Sequence, residues 1–255
     1  MKSISLILSV AALFSVYAEA LAQEKNYSLW PKRPPEIEQA RRLISEKKTE
    51  EAIEMLRQYV NTPGIVGREA RKLTGAVNVR RYLSRFHPEA SIYQVRSGDT
   101  LMKIASKTGC AVELIILLNG LVDPSALKSG QKLVVVKMQL HAKVDVRLQE
   151  LTVWDGESLV ATYDIKTAHL PKREQNVETK VESRDGYIDG GVLPPHSVQF
   201  LSAQRVIRLE NGVSLTGAQS IAGARVRLQP ADVNELALLL AKGASVEFVY
   251  QVEGE

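Results

Sequence analysis

The chain has 255 residues, of which 45% are hydrophobic and 24% charged, and its formal net charge is +4. That is ordinary globular composition, long enough for two small domains and an extension. The mildly basic balance, with no dense Lys/Arg run interleaved with aromatics, excludes nucleic acid as the partner, and the single cysteine, Cys110, excludes an intramolecular disulfide.

Lys2, the mostly apolar run Ile4 to Tyr17, and the small-x-small patterns Ala18-Glu19-Ala20 and Ala20-Leu21-Ala22 read as a secretory signal over residues 1–22. A spanning helix needs about 20 apolar residues, so this run predicts cleavage, with an uncleaved anchor as the alternative. No Cys follows the apolar run, which excludes a lipoprotein anchor. The expectation is an exported protein of the periplasm or cell envelope, without a transmembrane segment once the signal is removed. Residues 23–34, with several charges and prolines, predict a linker.

Helical spacing begins at Pro35 and runs to residue 88. Ile37, Ala40, Leu43 and Ile44 share one face; Thr49 is a plausible N-cap for a second helix with Ala52, Ile53, Leu56 and Val60 inward. After Pro63-Gly64 a third helix places Val66, Ala70, Leu73 and Val77 inward. The first two helices resemble a tetratricopeptide-type pair, and one pair cannot bury its own face, so these helices are expected to pack on a neighbouring domain. Arg68, Arg71, Lys72, Arg80, Arg81 and Arg85 make the third helix basic, and the simplest reading is a solvated face.

From 91 to 138 the pattern is strand, helix, helix, strand. Tyr93 and Val95 alternate, Ser97-Gly98-Asp99 turns, Asp99 or Thr100 can cap a helix lined by Leu101, Ile104 and Ala105, and Gly109 ends it. A second helix runs to Leu118 and is closed by Asn119-Gly120; Leu133 to Val136 is the second strand. Cys110 opens the second helix, where a thiol behaves as a small buried hydrophobe. Ile115 to Leu118 are consecutive, so this helix should be buried on more than one side, with Ile116 or Leu117 against the helical segment or the C-terminal domain. The stretch closely resembles the LysM family through Tyr93, Val95, Gly98, Asp99, Thr100, Leu101, Ile104, Ala105, Leu114, Asn119, Leu121, Leu127, Gly130, Gln131 and Leu133. The resemblance implies binding of an N-acetylglucosamine glycan, peptidoglycan or a chitin-like polymer. It also implies a shallow groove built from Gly98, Asp99, Thr100, Leu101, Asn119, Gly120 and Leu121, with backbone amides on the acetamido carbonyl and apolar groups over its methyl. A purely capping role for Asp99, Thr100 and Asn119 stands beside that reading.

Residues 139–255 read mostly as strands: Val144, Val146 and Leu148; Leu151 to Trp154; Leu159 to Ile165; Arg205 to Glu210; Val213 to Thr216; and Ser245 to Val252, with hairpin turns at Asp155-Gly156 and Asn211-Gly212. His169 to Gly190 reads as loop. A helix follows Asp232, whose capping box would end at Glu235. This order resembles the L,D-transpeptidase catalytic domain, through "AKVDVRLQELTVWDGESLVATYDI" and "SIAGARVRLQPADVNELALLLAKGASVEF". That family's acyl transfer needs a Cys thiolate and a His. Here the His-Gly pair reads Thr216-Gly217, and the nucleophile position falls on Ala224 or Arg225, so neither register supplies a thiol. Arg227 corresponds to the family's retained Arg, able to bind a carboxylate, with a structural ion pair as the simpler role. Ser214, Thr216 and Ser220 could in principle replace the nucleophile, but no motif places a His or Lys beside them. His87, His141, His169 and His196 lack metal-ligand spacing and read as surface or loop residues.

The fold class expected is therefore α+β: a helical segment, a βααβ LysM domain and a mostly β C-terminal domain resembling an L,D-transpeptidase without its Cys and His. The function expected is non-catalytic peptidoglycan binding, with no cofactor and no metal. A scaffolding or regulatory role beside wall-synthesis enzymes fits that reading, and a wall enzyme with unorthodox residues is the alternative.

Overall fold

The computed structural model describes residues 34–123, 125–173, 175–188, 191–193, 198–218 and 222–250. The expected signal peptide, nearly all of the linker, His196 and Ser220 lie outside these residues. Among the described residues, six α-helices and a largely β C-terminal half make a mixed α and β molecule.

Helices α1 (Pro35–Ser45), α2 (Thr49–Val60) and α3 (Gly64–Tyr82) come first. Pro35 sits at the first helical position of α1, where its missing N–H costs nothing. Thr49 is not the cap of α2: Lys48 holds that position and no side chain caps the end. Ile37, Ala40, Ala52, Leu56 and Ala70 form a small core among the three helices. Val66, Leu73 and Val77 are only half-buried.

Helix α3 is buried on a second face by the C-terminal sheet. Strands β3 (His141–Asp145), β4 (Glu150–Asp155) and β5 (Ser158–Asp164) form one end of that sheet. The helix lies so close to edge strand β5 that a Cβ at Gly75 would stand 2.8 Å from the Thr162 amide nitrogen. Asn78 Nδ2 donates to the Leu159 carbonyl (2.6 Å) and Thr162 Oγ1 donates to the Arg71 carbonyl (3.1 Å). An edge strand with free carbonyls invites pairing with another chain, and α3 covers it. The basic residues join in. Arg71 donates to the buried Glu150 carboxylate at 2.7 Å and to the Val60 carbonyl at 2.9 Å; Arg68 and Lys72 both pair with Asp164 at 2.8 Å. Half of the expected solvated face is thus an interface, because the sheet brings carboxylates from 79 to 96 residues away.

Strand β1 (Ala90–Gln94), helices α4 (Leu101–Thr108) and α5 (Val112–Asn119) and strand β2 (Lys132–Val136) form the next unit. β1 and β2 pair antiparallel, Gln94 opposite Lys132, over a core that includes Leu101, Ile104, Cys110, Leu114 and Leu133. Gly109, at φ 69°, ends α4 in the left-handed conformation glycine adopts without strain.

The remaining strands are β6 (Thr167–His169), β7 (Val177–Ile188), β8 (Gly191–Leu193), β9 (Gln204–Leu209), β10 (Ser214–Thr216), β11 (Arg225–Arg227) and β12 (Ser245–Val249). The sheet order is β5-β4-β3-β12-β7-β9-β10-β11-β6, with β8 on β7. Its two edges, β5 and β6, are joined by Ile165 and Lys166 alone, so the sheet curls back on itself around a core closed by helix α6 (Pro230–Leu239). Several expectations are corrected here. The segment expected to be loop holds β7, the longest strand, because Thr179 and Val181 point inward while Glu178, Lys180 and Glu182 point out. Helix α6 begins at Pro230 rather than after Asp232, and no side chain caps it; Glu235 instead accepts from the Tyr163 hydroxyl at 2.8 Å. The first strand stops at Asp145, where the Asp145 carboxylate accepts the Leu148 amide and turns the chain. His87 is buried, 4% exposed, edge-on to Tyr82 with ring centroids 4.6 Å apart, and burial lowers its pKa.

The βααβ unit is docked on this body. Helix α5 meets the 3-10 helix Val198–Leu201, and Leu83, Met138 and Leu201 pack against its core. Ile116 is buried as expected, but Leu117 is 39% exposed. The buried Glu113, in the first turn of α5, pairs with Arg184 of β7 at 2.5 Å.

Candidate functional site

The antiparallel register of β1 and β2 sends the loop 95–100 and the loop 120–131 off the same end of the βααβ unit. Val95 seals the junction: its amide donates to the Gln131 carbonyl and its carbonyl accepts the Gly130 amide, each at 2.8 Å. The expected groove residues Gly98, Asp99, Thr100 and Leu101 lie on or just after the first loop; Asn119, Gly120 and Leu121 begin the second.

Their polar side chains are engaged within the unit. The Asp99 carboxylate accepts from Lys107 Nζ, the Arg96 amide and the Tyr93 hydroxyl, each at 2.8 Å, and these donors hold it far below the usual carboxylate range. The Thr100 hydroxyl accepts the Lys103 amide at 3.3 Å and caps α4. The Asn119 side chain staples the end of α5 to β2: Nδ2 donates to the carbonyls of Ile115 (2.9 Å) and Val134 (2.8 Å), and Oδ1 accepts the Val134 amide (2.8 Å). Leu101 is 4% exposed and belongs to the core. What this end leaves to a ligand is backbone and neighbouring apolar surface. The amides of Leu101 and Met102, in the first turn of α4, have no carbonyl within the helix. Gly98 and Gly120, at φ 77° and 59°, leave open space where a side chain would stand. Met102 is 62% exposed and Val122 89%. Sequence reasoning missed both, although an apolar residue within four positions after each turn glycine was a visible signal. A second concavity, of about 570 Å3, runs along the β1 edge from Ile92 to Ser97 and reaches Ser129 and Gly130.

Residues 93–136 match the LysM domain family. No curated protein matches the chain. Several solved L,D-transpeptidase structures are similar in fold. The Stackebrandtia nassauensis enzyme is 18% identical with a TM-score of 0.33, over 47% of this chain and 60% of that one. Mycobacterium tuberculosis L,D-transpeptidase 1 is 13% identical with a TM-score of 0.31, over 48% and 67%. The Enterococcus faecium C442S mutant is 12% identical with a TM-score of 0.32, over 77% and 82%. This chain spans 60% of the length of the first of them.

In the C-terminal body, β10 and β11 pair parallel, which sets Thr216 opposite Arg227 and Ser214 opposite Arg225. Thr216 is fully buried and its hydroxyl accepts the Ala218 amide at 3.0 Å; Ser214 is buried too. Gly217 packs against Pro230, where a Cβ would lie 2.6 Å from the proline Cα. Ala224 is half-buried against the core, and Arg225 donates to the Gly223 carbonyl at 3.1 Å. Arg227 forms no ion pair among the described residues, so the structural pairing expected for it is not found there.

Gly217, Ala218 and Pro230 line a pocket of about 310 Å3 together with Tyr187, Arg205 and Arg208. Arg205 is 3% exposed; its Nε donates to the Phe200 carbonyl at 3.0 Å, it also donates to the Asn234 carbonyl, and its guanidinium lies 4.8 Å over the Phe200 ring. Burial pulls its pKa down to about 10, and Glu113 opposes that shift. Arg208 donates to Asp185 (2.7 Å) and to the Tyr187 hydroxyl (2.9 Å). Chemically the pocket offers two fixed guanidinium groups to an anion and has no thiol or imidazole in its wall. The sequence motifs did not reach these residues: Tyr187 sits on β7, which was read as loop, and Arg205 and Arg208 sit on β9, which was read as a strand but carries no motif. Among the described residues no cluster of metal-ligating side chains exists, and no helix is long and apolar enough to cross a membrane.

Proposed function

We propose that this chain is a non-catalytic peptidoglycan-binding protein of the cell envelope, held to the glycan by its LysM domain. The match of residues 93–136 to the LysM family carries this reading. The end of the unit where Gly98–Leu101 and Gly120–Val122 lie supports it physically. First-turn backbone amides without an acceptor inside the helix suit an acetamido carbonyl, and Met102 and Val122 suit its methyl and the sugar face. The absence of a thiol at residues 224 and 225, with the hydroxyls of Ser214 and Thr216 buried, supports a body that does no acyl transfer. The close docking of LysM on that body supports a scaffolding role, since a glycan held at one end fixes where the body points.

Sedimentation with insoluble peptidoglycan tests the reading. The full chain should pellet, and Met102→Glu with Val122→Glu should leave it in the supernatant at unchanged melting temperature. A wild-type chain that stays soluble beside peptidoglycan overturns it. Incubation with muropeptides should produce neither cross-linked nor cleaved species, and either product would make the chain an enzyme.

A further inference from the structure

The three N-terminal helices carry an apolar groove that nothing among the described residues fills. Helix α3 uses one face on the sheet and one on the small core shared with α1 and α2. A third face remains, and with the start of α2 it lines a groove of about 730 Å3. Its floor is Ile44, Ile53, Leu73 and Val77, all half-buried, and Phe86 stands at its end 86% exposed. Ile53 and Val77 belong to none of the buried clusters. An exposed phenyl ring beside uncovered aliphatic side chains is the surface an interaction site presents.

The rim sets the sign of the occupant. Lys47, Arg80 and Arg81 line the groove and make no ion pair among the described residues, whereas Arg68, Arg71 and Lys72, about two to four turns before Arg80 and Arg81 on the same helix, are all paired with carboxylates of the sheet. Glu50 is the one carboxylate on the rim. Three cations around an apolar floor complement an acidic amphipathic segment, its apolar residues one helical turn apart and carboxylates flanking them. The chain's own residues before Pro34 do not complement it: Lys2, Lys25, Lys32 and Arg33 outweigh Glu19 and Glu24. The concave floor also disfavours a lipid surface, which is flat on this scale.

We propose that this groove docks an acidic amphipathic segment of a partner protein. The proposal is independent of the glycan reading, since the groove lies outside residues 93–136. Selection of displayed 14-residue peptides on the full chain, followed by calorimetry with the selected sequences, tests it. Selected peptides should pair Asp or Glu with Leu or Phe at helical spacing. The doubly charge-reversed chain Arg80→Glu/Arg81→Glu should bind them about tenfold or more weakly, with a melting temperature unchanged because both side chains are exposed. Peptides carrying Lys in place of Glu should regain affinity for that variant. Four outcomes overturn it: selected peptides without acidic residues, affinity unmoved by the reversal, binding seen only after residues 23–33 are removed, and binding to phosphatidylglycerol vesicles in place of peptides.

Discussion

Cys110 is 3% exposed beside the start of α5, and burial pushes its thiol up to about 11. The thiolate is the reactive species, so iodoacetamide at pH 8 should leave the folded chain unlabelled by mass spectrometry and label it fully in denaturant. Labelling of the native chain within minutes would show that α5 opens. Asp99 is the opposite case, a carboxylate held charged by Lys107, the Arg96 amide and Tyr93. Its folded pKa lies below the ordinary value of 3.8, so its contribution to stability is present above that value and is lost as pH falls below it. Asp99→Asn should therefore melt below wild type at pH 7, and the gap should close toward pH 2. The type of role was legible in the sequence for Thr100, whose spacing marks a cap. It was not legible for Asp99 or Asn119, whose partners Lys107 and Val134 sit 8 and 15 residues away. No local pattern announces a side chain consumed by such contacts.

The elements most visible in the sequence were those with their own turn chemistry. The βααβ order, the Asp155-Gly156 and Asn211-Gly212 hairpins and the three N-terminal helices all carry glycine, proline or periodic signals, and the structure places each within a few residues of the expectation. Strand β7 was missed because its outward face is charged and only Val177, Thr179 and Val181 mark the inward one. Helix α3 was seen, but its basic face was misread, since its acceptors lie on strands far along the chain. Arg71 shows what that face does. It joins the end of α2 to the buried Glu150 of β4. Replacing it with Met removes the partner of a carboxylate that is 3% exposed, a loss of about 3–5 kcal/mol in urea unfolding at pH 7. Burial already raises the Glu150 pKa above 4.5. In the variant Glu150 is most easily accommodated protonated, so the loss should shrink as pH falls toward 4.5 and grow as pH rises. A loss independent of pH would mean that Arg71 acts through packing alone.

At the scale of the whole molecule, two docking surfaces join three parts that each have their own core. One is the face of α3 against β5; the other is α5 of the LysM domain against β7 and the 3-10 helix. The second is the smaller and holds a charge pair at its centre. Glu113 is 1% exposed and faces Arg184, which also donates to the Ala237 carbonyl at 3.0 Å. Glu113 also supports the charged form of Arg205 in the wall of the arginine-lined pocket. A single carboxylate in an apolar helix therefore links the LysM domain to that pocket. Replacing Glu113 with Ala leaves Arg184 buried without its counter-ion, while the βααβ core of Leu101, Ile104, Leu114 and Leu133 is untouched. The expected outcome is an undocked but folded LysM domain. Calorimetry should resolve two transitions in the variant where wild type shows one, and small-angle scattering should give a larger radius of gyration. Binding to insoluble peptidoglycan should persist, because the loops proposed to hold the sugar belong to the undocked unit. A variant that keeps one transition and the wild-type radius would place the strength of the docking in the apolar packing of Leu83, Met138 and Leu201 on the βααβ core, and Leu201→Gln would then be the substitution that separates the two.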